Sequence, residues 1–171
     1  MNDGYGIYIK KMLEELFNEL NKAKVKYLVA GGVAVILHGL PRITGDLDIL
    51  LYLDKENLKR LDKAISKWGY VERIPVSLLS LGDHKLVRKW FKEKNLQAFT
   101  LSLLGKLPLQ IDIIIEESLK FDKFEINKVE KKDGKLMIPV VSIDDLIRMK
   151  KKAGRAKDLI DLDALLGLKK L

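Results

Sequence analysis

An α+β fold is predicted by three features of the sequence. Short β-compatible runs alternate with segments of helical period, two helical segments close the chain, and 171 residues suit one domain. The composition is that of a chain able to bury a core, 47% hydrophobic and 33% charged. Its charges of both signs are interspersed, which argues against global disorder and against a repeat solenoid. Cysteine is absent and His38 and His84 are the only histidines. That excludes a disulfide scaffold, a thiolate nucleophile, a cysteine-bearing zinc site and a multi-histidine site, so any metal must rest on carboxylates. The formal charge of +8 and a pI near 9.5 favour polyanionic partners such as nucleotides or RNA. High Lys and Glu without Cys resembles a heat-adapted composition. No basic segment followed by an apolar run comes after Met1, and Tyr27 to Leu40, the most apolar stretch, is shorter than the roughly 20 residues of a membrane span. The expectation is a cytoplasmic protein without membrane contact.

The elements follow in order. Met12, Leu13, Leu16, Phe17 and Leu20 recur at helical spacing and predict an amphipathic helix over Ile9 to Ala23. Val25 to Ala30 reads as a short strand, Gly31-Gly32 as a tight turn, and Val33 to His38 as a short helix broken by Gly39 and Pro41. Asp46 to Leu53 reads as a second strand, and Leu58, Leu61, Ile65 and Trp68 set a helical period from Lys55 until Gly69. Tyr70 to Ile74 and Gln97 to Leu104 are read as strands, with Asp83 to Lys94 a helix between them whose apolar side is Leu86, Val87, Trp90 and Phe91. Leu109 to Ile115, rich in β-branched residues between Pro108 and Glu116-Glu117, is a strand. Phe124 to Val129 and Leu136 to Val141 predict a hairpin joined through Lys131-Lys132-Asp133-Gly134. A helix capped by Ser142 runs through Leu146, Ile147 and Met149. Gly154 separates it from a last helix, Arg155 to Leu168, with Leu159, Leu162 and Leu166 as its apolar stripe. The expected organisation is one domain over 1–171: an N-terminal helix at 1–24, a sheet-bearing core at 25–141 and C-terminal helices at 142–171.

Chemistry concentrates in three aspartates. Alternation on a strand sends Asp46 and Asp48 to one face and Leu47, Ile49 and Leu51 to the other. Two like charges in so small a space destabilise a fold unless a cation joins them, and Asp is a poor strand residue to begin with. Mg²⁺, which takes oxygen ligands and commonly one or two carboxylates, removes both objections. Asp112 interrupts Ile111, Ile113, Ile114 and Ile115 on a strand that should be buried, where an unpaired carboxylate is costly. Its expected partner is the same metal centre, against the alternatives of a core Arg or Lys for Asp112 and a turn or cap role for the other two. Gly31-Gly32 lets a phosphate approach the backbone, although a glycine pair after a strand is more often only a tight turn. No P-loop and no Gly-x-Gly-x-x-Gly fingerprint occurs.

Leu28-Val29-Ala30-Gly31-Gly32, thirteen intervening residues, Asp46-Leu47-Asp48-Ile49 and a later strand bearing Asp112 resemble the polymerase-beta-like nucleotidyltransferase superfamily. His38-Gly39-x-x-Arg42-x-Thr44-x-Asp46-x-Asp48 is more closely similar to small prokaryotic stand-alone nucleotidyltransferases that include abortive-infection toxins. So is Asp144-Asp145-Leu146-Ile147-x-Met149-Lys150 with Gly154-Arg155-x-Lys157-Asp158. The resemblance implies a nucleotidyltransferase fold, a mixed β-sheet flanked by helices. It also implies that the glycine pair holds a nucleoside triphosphate while Asp46, Asp48 and Asp112 hold two divalent ions, Mg²⁺ or Mn²⁺. The activity implied is transfer of a nucleoside monophosphate to a hydroxyl of RNA or tRNA, a protein or a small molecule, in a toxin-type enzyme with an antitoxin partner. A non-catalytic nucleotide- or RNA-binding module on the same fold is the alternative.

Arg42 and Thr44 lie on the loop entering Asp46 and can reach the same pocket, Arg42 as a phosphate fork or else as a solvated loop charge. Lys150 is a candidate triphosphate ligand whose alternative, within the run Lys150 to Lys152, is to complement a helix dipole. Arg155 has Asp158 and Asp161 as candidate partners. His38 is read as a structural hydrogen-bonder, and the sequence leaves the acceptor and the oligomeric state open.

Overall fold

The computed structural model describes residues 3–103, 109–116 and 118–170. Its elements are α1 (Asp3–Lys22), β1 (Tyr27–Val29), α2 (Gly31–Leu37), β2 (Asp46–Leu51), α3 (Lys55–Ser66), β3 (Tyr70–Glu72), a 3₁₀ turn at Leu78–Gly82 and α4 (His84–Lys94). After these come β4 (Ala98–Leu103), β5 (Gln110–Ile114), α5 (Phe121–Glu125), β6 (Val129–Asp133), β7 (Leu136–Val140), α6 (Ile143–Ala153) and α7 (Ala156–Leu168). The strands form one seven-stranded mixed sheet in the order β3-β4-β5-β2-β1-β7-β6. β2 runs parallel to β5 and β1 parallel to β7, while the other neighbours are antiparallel. This is the α+β mixed sheet with flanking helices expected from the sequence.

One face of the central strands is sealed. Leu47, Ile49 and Leu51 of β2, Ile111 and Ile113 of β5, and Phe99 and Leu101 of β4 are buried, each contributing about 2 kcal/mol by leaving water. On α1, Met12, Leu16, Phe17 and Leu20 are buried as the spacing predicts, and Phe17 stacks on Tyr27 at 6.2 Å between ring centroids. Leu58, Leu61 and Ile65 of α3 join the same core. The buried Asn57 carboxamide fastens α3 to the sheet, accepting from the Lys26 N–H and donating to the Lys26 and Tyr52 carbonyls. Along β4 and β5 the alternate residues Ala98, Thr100, Ser102, Gln110, Asp112 and Ile114 are only half-buried, so the opposite face stays accessible there.

Several elements differ from the sequence reading. Gly31 and Gly32 form the first turn of α2 instead of a turn preceding it. The first hairpin arm is not Phe124 to Val129. Phe121 and Phe124, three apart, are both buried on α5, where Phe121 packs on Tyr52, and the strand is Val129–Asp133. Lys131, Lys132 and Asp133 therefore pair within the ladder and the connection is Gly134-Lys135, with Gly134 at φ +60°. The last helix corrects more. Of the expected stripe only Leu162 packs partly on the core; Leu159 is 56% exposed, Leu166 is exposed too, and α7 turns Asp158, Asp161 and Leu165 inward instead. The reason is Lys150, buried on α6 against α7, which demands carboxylates opposite it. Leu104, expected to end a strand, and Pro108 and Glu117, expected to flank another, lie outside the described residues. Among the described residues no helix is long and apolar enough to cross a membrane.

Candidate active site

β2 and β5 lie side by side in parallel register, Asp46 opposite Gln110 and Asp48 opposite Asp112. Opposed residues on neighbouring strands share a face, so Asp46, Asp48 and Asp112 converge on the accessible side of the sheet. Their closeness is felt at Asp48. Burial pushes its carboxyl above the ordinary carboxylate range, and the charges of Asp112 and Asp46 push the same way against the opposing pull of Lys150 and Arg155.

The glycine pair is shaped by this cluster. The Ala30 N–H donates to the Asp48 carbonyl at 2.9 Å, extending the β1–β2 pairing to the point where the chain turns into α2. Gly31 then adopts φ +60° with the Asp48 side chain against its α-carbon, where a Cβ would overlap the carboxylate. Gly32 has the Arg42 guanidinium and the Thr44 hydroxyl over it. Thr44 Oγ1 donates to the Asp46 carbonyl at 3.4 Å, which fixes the loop as it enters β2. The pair is thus a close-approach device between α2, the aspartates and the Arg42–Thr44 loop.

Behind the aspartates sits a buried charge network. Lys150, 4% exposed, places Nζ 3.0 Å from Asp158 Oδ1 and 2.7 Å from Asp161 Oδ2. Arg155 Nε lies 2.6 Å from Asp158 Oδ2, and Arg42 Nε 3.1 Å from Asp161 Oδ1. Burial works against the Asp158 anion, but hydrogen bonds from Arg155 and Lys150 outweigh it and hold its pKa at about 2. Arg42 is therefore no solvated loop charge, and Lys150 does not simply complement a helix dipole. Both are braced by α7, and Arg155 has the Asp158 partner its sequence spacing suggested. His38 is buried as a structural hydrogen-bonder. Its Nε2 meets the Val141 carbonyl at 2.9 Å, and burial lowers its pKa so that it stays neutral.

All eight residues singled out in the sequence thus meet in one region: Asp46, Asp48 and Asp112 on the sheet, Gly31 and Gly32 beneath, Arg42 and Thr44 at the loop, and Lys150 behind. One residue escaped the sequence reading. Thr100 of β4, directly opposite Asp112, donates its hydroxyl to Asp112 Oδ1 at 2.6 Å. The alternation Phe99-Thr100-Leu101-Ser102 is the only sequence signal of it.

The fit to a divalent cation rests on charge. The two cations that Asp48 feels, Lys150 and Arg155, are already committed to Asp158 and Asp161, which leaves the aspartate cluster with a negative excess. Among the described residues no three His, Asp or Glu side chains close around a single point. Mg²⁺ does not ask for such a cage, since one or two carboxylates completed by water and phosphate suffice.

Several solved structures share the fold. The lincosamide antibiotic adenylyltransferase LnuA, lincomycin-bound, matches at a TM-score of 0.57 and 16% identity, covering 98% of both chains. ANT(2")-Ia in complex with adenylyl-2"-tobramycin matches at 0.59 and 11% identity, covering 91% of this chain and 86% of that one. An antigenic nucleotidyltransferase-like protein from Paracoccidioides brasiliensis matches at 0.58 and 16% identity, covering 92% and 75%. No curated protein sequence matches the chain. Residues 15–171 match the family described as nucleotidyl transferase AbiEii toxin of type IV toxin–antitoxin systems. The chain accordingly belongs to the AbiEii family and is an enzyme of the nucleotidyltransferase class.

Proposed function

We propose that the chain, acting as one unit over 1–171, transfers a nucleoside monophosphate from a nucleoside triphosphate to an acceptor hydroxyl at the Asp46–Asp48–Asp112 face. The observation that carries this reading is the parallel register that sets Asp48 beside Asp112, with Asp46 two residues away and Gly31 closed against Asp48. The acceptor oxygen forms a bond to the α-phosphorus as the bond to the bridging oxygen breaks, pyrophosphate leaves, and the hydroxyl proton passes to Asp112. Asp46 and Asp48 would hold Mg²⁺ or Mn²⁺, with Asp112 on the acceptor side, and such ions would supply charge neutralisation at the triphosphate and a more acidic acceptor hydroxyl. Arg42 and Thr44 present a guanidinium and a hydroxyl over Gly32, placed for phosphate oxygens. Lys150, held between Asp158 and Asp161, braces this side of the site from α6 and offsets part of the repulsion at Asp48.

RNA or tRNA, a protein side chain and a small-molecule alcohol are the acceptor classes in view. The fold relatives LnuA and ANT(2")-Ia, whose names and ligands speak of adenylyl transfer and antibiotics, support the last. The basic balance of the chain supports the first. Family membership supports a toxin role held in check by an antitoxin. The test is transfer from α-labelled ATP, CTP, GTP and UTP, with Mg²⁺ or Mn²⁺, onto host RNA and protein extracts. Wild type is expected to label one fraction and the D46A/D48A double variant none. Labelling that survives in the double variant would refute the assignment of the site.

A further inference from the structure

We infer that Thr100 is a positioning residue for Asp112, fixing the orientation in which that carboxylate serves the divalent ion and the acceptor hydroxyl. The inference rests on the reading of the aspartate face given above. Asp112 stands on β5 between two different neighbours, Asp48 in register on β2 and Thr100 in register on β4. On the β2 side it meets a like charge. On the β4 side the Thr100 hydroxyl donates to Oδ1 at 2.6 Å, the length of a charge-assisted O–H···O⁻ bond. The bond uses one lone-pair direction of Oδ1 and fixes the carboxylate plane, which frees Oδ2 of that duty. Without it, no bond on the β4 side would hold Asp112 in one orientation against the repulsion of Asp48.

The supporting strand is rigid where it matters. Phe99 and Leu101, flanking Thr100, are buried in the core and hold β4 in place, while β-branching restricts the Thr100 χ1 angle. Thr100 is itself half-buried, and its two neighbours on the same face, Ala98 and Ser102, are small, leaving the approach to Asp112 open. A hydroxyl that orients a ligating carboxylate acts on metal affinity, and losing such a partner commonly costs tenfold or more.

The experiment is a Mn²⁺ titration read by electron paramagnetic resonance, in the presence of a non-hydrolysable triphosphate, on wild type, T100V, T100S, T100A and D46A/D48A, with thermal melting of each metal-free protein. T100V keeps the branched shape and removes the donor; T100S keeps the donor. The expected result is Mn²⁺ affinity about tenfold weaker in T100V and in T100A, and restored to within about twofold of wild type in T100S. Metal-free melting temperatures should stay within about 4 °C of one another. Should T100V fail to fold, the contrast between T100A and T100S carries the same test. Wild-type affinity in T100V and T100A, with binding lost in D46A/D48A, would overturn the role of Thr100 and leave the site standing. Absence of saturable Mn²⁺ binding in wild type would overturn the aspartate reading itself, and the inference with it.

Discussion

At Gly31 the backbone turns at φ +60° directly against the Asp48 side chain, and both facts restrict that position to glycine. An alanine there would bear a strained φ costing about 1 kcal/mol. Its Cβ would also lie 2.7 Å from the Asp48 Cβ, an atom held by the strand and unable to swing aside. Gly32 differs, because what covers it is chiefly the far end of the Arg42 side chain, which can shift by loosening its pairing with Asp161, whereas the Asp48 Cβ cannot move. We therefore predict that Mg²⁺ raises the melting temperature of wild type, and that G31A lowers stability by about 1–3 kcal/mol and loses that rise. G32A should fold with a smaller loss and keep it. Melting curves of both variants with and without Mg²⁺ check the contrast. At this scale much was legible: an aspartate pair at strand spacing is costly enough that its presence signals a partner, and Asp112 inside an isoleucine run says the same. Thr100 was not legible, because threonine is an ordinary strand residue and its meaning comes only from the register that sets it opposite Asp112.

Among the elements, α6 and α7 act as a clamp. Ser142 caps α6 by accepting from the Asp145 N–H, and Gly154, at φ +61°, ends it so that α7 folds back with Asp158 and Asp161 facing Lys150. The Asp158 pKa of about 2 lies below its ordinary 3.8, so native Asp158 binds fewer protons than the unfolded chain in that window. Its contribution, about 2 kcal/mol, is complete above pH 3.8 and is lost as pH falls toward 2. D158N should be less stable than wild type by about 3 kcal/mol at neutral pH, since it weakens the pairing of a buried lysine, and the gap should narrow on acidification through that window. Chemical denaturation of both proteins between pH 6 and about pH 2.5 measures it. A gap constant over that range would remove Asp158 from the account. The same helix shows why apolar spacing misleads: leucines at 159, 162 and 166 repeat like a core stripe, yet only Leu162 packs on the core, because the buried cation opposite decides which face turns inward. β6 escaped for the converse reason, since a largely exposed edge strand of charged residues carries no hydrophobic pattern to read.

For the whole molecule, the sheet divides the labour. One face is buried in the core, while the other presents the aspartates, with the α6–α7 clamp and Arg42 behind them. The net charge of +8 surrounds a locally acidic cluster, so the molecule as a whole attracts polyanions while the aspartate face itself attracts cations. The most direct measurement compares α-labelled with γ-labelled nucleoside triphosphate in otherwise identical reactions with the acceptor fraction. The α label is expected to stay on the acceptor while the γ label is released as pyrophosphate. Label from the γ position appearing on the acceptor would mean phosphoryl transfer instead and would contradict the assignment of this face to nucleotidyl transfer.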